Sequence, residues 1–208
     1  LPDYVTAIRG KPAYRPDWPG GLDGSFAGMI LLGLHAKAAS TGALMPHTYE
    51  HDIVDLRLND ISLGEIGLEA AIAADWGVPT VLVIADSAGA AEAEKFLPGV
   101  QTVSVKESLS ESWATCLPLT VTAQRIREAA TTIAKSLPPA ELFLVSSPAR
   151  LEVELRSGPF LETLARMFPM NMRDACTVAV EGENATTVWA RYWQMKLEAQ
   201  ADLSQDKF

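Results

Sequence analysis

His35, His47 and His51 are all the histidines this chain possesses, and they fall in one short window that closes on the carboxylate of Glu65. Imidazole and carboxylate are donor types that suit zinc, and an open coordination position beside them lets a water be activated. His35 ends the apolar run Met29-Ile30-Leu31-Leu32-Gly33-Leu34. That run reads as a buried strand delivering an imidazole to the carboxyl edge of a sheet, where open α/β sheets place their ligands. Glu65 is flanked by Gly64 and Gly67 at the start of a helical pattern. Its carboxylate is either a ligand or a favourable charge at the positive end of a helix dipole. The two glycines fit a backbone packed closely around a site.

His47 follows Pro46, in a segment extended before the proline. It reads as a general acid–base group or as a surface loop histidine. His51-Asp52 has the look of a ligand with its orienting carboxylate, but adjacent strand residues point to opposite faces, and the pair is set aside. Asp86 stands where the strand 80–85 must emerge, so it either orients substrate from the sheet edge or starts a turn. No Gly-Lys-Ser/Thr phosphate loop exists to make that strand part of a nucleotide site. Ser40, Ser146 and Ser147 lack the glycine elbow of a serine hydrolase. Asn184-Ala185-Thr186 matches a glycosylation pattern by chance.

The elements that must hold these residues follow from hydrophobic periodicity and punctuation. A short strand is expected near 4–8, a helical turn near 22–26, and the buried strand over 28–34. Alternation over 53–58, the Asn59-Asp60 turn and the run 61–63 predict a hairpin. A helix over 65–76 presents Ile66, Ala70, Ala73 and Ala74 as a small-residue face for close approach to the sheet. The buried strand 80–85 leads into a helix over 88–97 capped by Ser87, then a strand over 100–105. After a loop through Trp113 and Cys116, a helix over 120–137 turns Val121, Ile126, Ala130 and Ile133 to the core. This rhythm predicts an α/β fold, a three-layer α/β/α arrangement around a mainly parallel sheet with right-handed crossovers. Residues 151–156 alternate strictly, as a strand with one solvated face does. A helix over 159–167, a strand over 175–180 and a helix over 183–199 complete a smaller C-terminal α+β part. The expected division is 1–148, the core carrying the site, and 149–208, a βαβα subdomain.

Composition bounds the function. Of the residues, 48% are hydrophobic and 21% charged, an ordinary globular balance. A net charge of -9 argues against a nucleic-acid surface, which needs a basic stripe. No apolar run approaches the length of a membrane span, and no leader pattern is present. Cys116 and Cys176 match no metal or disulfide spacing, so a cytoplasmic protein with reduced thiols is expected.

Three segments taken in order carry a resemblance: Leu32-Gly33-Leu34-His35-Ala36-Lys37-Ala38, Gly42-Ala43-Leu44-Met45-Pro46-His47 and Leu63-Gly64-Glu65-Ile66-Gly67-Leu68. Together they resemble the zinc D-aminopeptidase family of the bacterial DppA type. The likeness continues through Gly77-Val78-Pro79, the strand to Asp86, Ala91-Glu92-Ala93-Glu94, Val105-Lys106 and Cys116-Leu117, and is looser beyond. It implies a two-zinc aminopeptidase that acts on short peptides with D-amino acids at the amino end. It also implies a homo-oligomer, a decamer ring assembly around a channel. By position, His35 and Glu65 look like zinc ligands and His47 like the catalytic histidine. Asp86 and Lys106 remain candidates for binding substrate. The family's Asp-x-Glu-Gly motif and one further histidine have no counterpart here, and both align upstream of Leu1. The remaining ligands of a two-zinc site are therefore expected outside this sequence. Two other classes stay open: a non-catalytic assembly subunit with an incomplete metal site, and a metal-dependent amidase on the same scaffold.

Overall fold

The computed structural model describes residues 3–10, 15–17 and 19–205. Its centre is a parallel sheet of three strands, β1 (Met29–Leu34), β4 (Thr80–Ala85) and β5 (Gln101–Ser104), in the order β1-β4-β5. A second sheet joins β2 (Ile53–Leu58), β3 (Ile61–Ser62), β8 (Ala149–Leu155) and β9 (Thr177–Gly182), antiparallel throughout in the order β3-β2-β8-β9. Helices α1 (Glu65–Asp75), α2 (Ser87–Phe96), α3 (Leu119–Lys135), α4 (Pro159–Met167) and α5 (Ala185–Gln205) cover them. The expected α/β class holds, with the parallel sheet smaller than the antiparallel one. The division expected after 148 falls at the start of β8, which pairs with β2, so strands from both sides of it share one sheet.

Helix α1 joins the two halves because it is apolar nearly all round, with Ile66, Gly67, Leu68 and every residue from Ala70 to Ala74 buried. Ile66 and Ala70 pack with Leu31, Val83 and Ala85 of the parallel sheet and with Ala93 of α2 and Leu97 at its end. Leu68, Ala71 and Ile72 pack instead with Leu56, Leu151, Val153 and Trp189 in the larger core under the antiparallel sheet. On the far face of the parallel sheet, Leu82, Ile84 and Val103 meet Ile133 of α3. The sheet is thus covered on both sides at β4 and β5, in the three-layer manner expected.

Several local expectations are corrected. Residues 4–8 form no strand; Tyr4 and Ile8 are exposed and unpaired by any ladder. Residues 22–26 form turns closed by Leu22 N–H to Pro19 O and Phe26 N–H to Asp23 O. Strand β1 is not fully buried: Ile30 and Leu32 are exposed, because β1 is an edge strand and α3 lies over β4 and β5. The cap of α2 is Asp86, whose Oδ1 accepts from Gly89 N–H at 2.8 Å, and not Ser87. The stretch read as a loop is an antiparallel hairpin, β6 (Lys106–Ser110) with β7 (Trp113–Cys116). Of the α3 residues expected in the core, Ile133 alone is buried, while Ile126 packs partly and Val121 is exposed. The polar face of β8 is not simply solvated, since Glu152 is buried beneath the guanidinium groups of Arg150 and Arg173.

The hairpin of β2 and β3 forms as expected. Asn59 and Asp60 both take positive φ, 47° and 67°, the conformation that a two-residue turn matched to strand twist demands. Among the described residues no helix is long and apolar enough to cross a membrane.

Candidate metal centre

His35 leaves the sheet through a bulge. The pairing of β1 with β4 slips between Leu32 and Leu34, and Gly33 absorbs the slip at φ 81°, a left-handed value that suits a residue without Cβ. The imidazole then reaches across to α1, where Nε2 of His35 lies 3.4 Å from Oε1 of Glu65. Both side chains are about one-fifth exposed. His47 arrives from the loop between β1 and β2 and stacks on His35, with ring centroids 3.9 Å apart at 14°. One donor atom from each of His35, His47 and Glu65 lies within 4.8 Å of the other two. The structure therefore brings the three residues singled out by chemistry into one cluster.

The rings are held in a ligand-ready orientation. Nδ1–H of His35 donates to Ala36 O at 3.0 Å, and Nδ1–H of His47 to Met45 O at 2.8 Å. A carbonyl partner at Nδ1 fixes the tautomer and leaves the Nε2 lone pair for a metal. Imidazole nitrogen and carboxylate oxygen are the donor types of a catalytic zinc. Because the two rings are stacked, with in-plane lone pairs nearly parallel, His35 with Glu65 is the pair placed to share an ion while His47 stands beside it. The donor types of His35 and Glu65, 3.4 Å apart, fit part of such a site.

His35 and Glu65 stabilise each other's charged forms. The hydrogen bond to Glu65 holds the His35 imidazole above its ordinary value of 6.5, against burial, which acts the other way. For Glu65 burial pushes up, but the bonds from His35 and from Tyr49 N–H, with the charges of His35 and His47, bring its carboxyl below the usual range. Tyr49 acts twice on α1: its N–H donates to Glu65 Oε1 at 2.8 Å and its hydroxyl to Glu69 Oε1 at 2.7 Å. The loop itself is pinned by Thr48, fully buried, whose Oγ1 accepts from Ala38 N–H at 3.0 Å. Ala39, Met45 and Tyr49 all hold positive φ in this loop, a concentration of strained backbone beside the cluster.

Gly64 explains why α1 comes so near. A Cβ there would meet Lys37 Cβ and Glu92 Oε1 at 2.7 Å and Lys37 Cα at 3.0 Å. Glu92, buried in α2, accepts from Lys37 N–H at 2.7 Å and so ties the residues after His35 to the helix layer. Burial raises its carboxyl above the usual range, with the Lys37 N–H opposing.

The other candidates lie differently. Asp86 is buried with both oxygens engaged, Oδ1 by Gly89 N–H and Oδ2 by the Ser108 hydroxyl at 2.8 Å, and its charge favours protonated His35. Its place is the cap of α2. Lys106 opens β6, its carbonyl accepting from Ser104, and lies neither in the cluster nor on the cleft beside it. His51 sits 5.1 Å from His47, outside the three-donor set. Tyr49, Thr48 and Glu92 were not legible as site residues. Only the acid set among alanines in Ala90-Ala91-Glu92-Ala93 hints at Glu92.

Fold and site define a mixed α/β protein with a zinc-type donor set at the carboxyl end of its parallel sheet. The family model described as D-aminopeptidase, peptidase family M55, matches residues 1–193. The chain belongs to that family. Over 97 residues it is 39% identical to the D-aminopeptidase of Bacillus subtilis (strain 168), covering 47% of this chain and 35% of that protein. Its fold is similar to the Zn-dependent D-aminopeptidase DppA from Bacillus subtilis, a self-compartmentalizing protease, with a TM-score of 0.74 and 26% identity. That match covers 87% of this chain and 65% of the other. The chain thus spans about a third of the curated relative and just under two thirds of the solved one.

Proposed function

We propose that this protein is a zinc-dependent aminopeptidase that releases amino-terminal D-amino acids from short peptides. The observation that carries the reading is the convergence of His35, His47 and Glu65 within 4.8 Å at a sheet edge. Membership of the D-aminopeptidase family and the likeness to a Zn-dependent relative support it.

Zinc bound there would polarise the scissile carbonyl and acidify a water. His35 and Glu65 would hold the ion, oriented by Ala36 O and by Tyr49 N–H. His47, fixed through Met45 O, presents Nε2 to the reacting atoms and moves a proton from the attacking water toward the leaving amine. The stacked rings and the partly buried carboxylate keep the polar groups in a drier environment, where charge stabilisation is stronger. His35 and Glu65 supply two donors, fewer than the usual protein share of about three per catalytic zinc, so the rest of the family's two-zinc set calls for donors beyond this cluster. The homo-oligomeric assembly and the cytoplasmic location belong to the same reading. The relative's self-compartmentalizing description supports the first, and the free thiols of Cys116 and Cys176 the second.

The test is zinc stoichiometry by elemental analysis together with turnover of D-Ala-D-Ala, L-Ala-L-Ala and D-alanine amide. Bound zinc and preferential cleavage of the D,D-peptide are expected. Preferential cleavage of the amide would make the protein an amidase, and loss of zinc on dialysis without turnover would end the enzymatic reading. Light scattering measures the assembly.

A further inference from the structure

The geometry points to Arg156 as the group that reads the free carboxylate of a short peptide, making the cleft beside His47 a subsite for zwitterionic substrates. This inference rests on the aminopeptidase reading and adds to it the end of the substrate remote from the scissile bond. The cleft has a volume of 190 Å³ and is walled by Ala38, Pro46, His47, His51, Glu111 and Arg156. It therefore opens directly from a member of the metal cluster. A space of that size suits a peptide of two small residues.

Arg156 reaches this position through sheet register. The pairing of β2 with β8 is extended past Leu155 by Arg156 N–H donating to Asp52 O at 2.8 Å, which sets Arg156 beside His51 and Asp52. The residue is exposed, and among the described residues its guanidinium makes no ion pair. The other arginines at this sheet are committed: Arg57 to Asp55, Arg150 to Asp60 and Glu152, Arg173 to Glu152. A planar guanidinium can grip a carboxylate through two parallel N–H bonds, a geometry that a carboxamide does not match in charge.

Glu111 stands on the same cleft with the opposite sign. It sits at the tip of the β6–β7 hairpin, and its carbonyl accepts from Met45 N–H at 2.9 Å, which docks the tip onto the His47 loop. Its carboxylate pairs neither with Arg156 nor with another cation among the described residues. An anion alone is repelled by Glu111 and a cation alone by Arg156. A molecule carrying an ammonium at one end and a carboxylate at the other meets both charges favourably, and an unblocked dipeptide is such a molecule.

The experiment is calorimetric titration of the zinc-loaded protein with D-Ala-D-Ala and with its carboxamide, in the wild type and in Arg156→Gln, with the L,L pair alongside. The wild type is expected to bind the free acid about tenfold more tightly than the amide, the order of a partly solvated charged hydrogen bond. Arg156→Gln is expected to erase that ratio while leaving amide affinity and zinc content unchanged, which a merely structural residue would not do. A ratio that persists in Arg156→Gln, or no discrimination in the wild type, overturns the inference. Zinc uptake and peptide turnover, measured beside the titration, separate the two readings. Discrimination through Arg156 in a protein that takes up no zinc at His35 and Glu65 and turns over no peptide would sink the aminopeptidase reading and leave the carboxylate subsite standing.

Discussion

His35 and His47 share a common arrangement, Nδ1 satisfied by a nearby carbonyl and the rings stacked, yet only His35 turns Nε2 to Glu65, and their proposed tasks differ. Substitution separates the tasks. His47→Ala is expected to lower turnover by about 10²- to 10⁴-fold, the usual worth of a positioned acid–base group, with zinc content retained. Zinc lost in that variant would make His47 the third ligand instead. Glu65→Gln removes a charge from the donor set and leaves Tyr49 N–H bonded to an amide oxygen. Its zinc affinity is expected to fall by more than the roughly 10- to 100-fold that loss of an outer partner costs, measured by competition with a chromophoric chelator. The pH dependence has a definite sign. Glu65 raises His35 above 6.5, so in the chelated protein the charged pair adds stability that is full below 6.5 and fades as pH climbs through the raised value. Zinc needs the neutral ring, so its affinity must change the opposite way. Below the raised value it is expected to weaken by about tenfold per pH unit from this group alone.

At the scale of elements, the site depends on two backbones meeting where α1 begins. Gly64→Ala places a methyl 2.7 Å from Lys37 Cβ and from Glu92 Oε1, and the Lys37 main chain at 3.0 Å has little room to yield. A cost of about 1–3 kcal/mol is expected from such overpacking, seen as a lowered denaturant midpoint, with zinc affinity falling because α1 and the residues after His35 are pushed apart. The glycines around Glu65 were readable as a sign of close packing, and the strand end, the hairpin of β2 and β3 and the start of α1 all stand where periodicity put them. What local pattern did not contain was strand order. The run Met29 to Leu34 is as apolar as a central strand, but its place at the edge leaves Ile30 and Leu32 open. The β6–β7 hairpin was hidden because its polar stretch Lys106 to Ser112 carries little apolar alternation. Arg156 was hidden for another reason: only the antiparallel register of β8 against β2 carries it back to the histidine loop.

Across the whole molecule, α1 belongs to both apolar cores, Ile66 and Ala70 to one and Leu68, Ala71 and Ile72 to the other. Its two ends are tied to different partners. At the beginning, Glu65 joins the histidines; at the end, Asp75 accepts from Thr186 N–H and from the Thr186 hydroxyl, both at 2.7 Å, and so caps α5 from another element. The antiparallel half and the metal centre should therefore lose their structure together. Asp75→Ala is expected to cost about 1–2 kcal/mol, the worth of a helix cap with a charged acceptor. Asp75→Asn, whose amide oxygen can still take the Thr186 N–H, should cost less. Far-ultraviolet circular dichroism and release of bound zinc to an indicator, followed through the same denaturant series, check the coupling. Coincident transitions that shift by equal amounts in Asp75→Ala fit one cooperative unit linked through α1. Zinc release that stays at its wild-type midpoint while the helical signal moves would show that the site half stands without the antiparallel half.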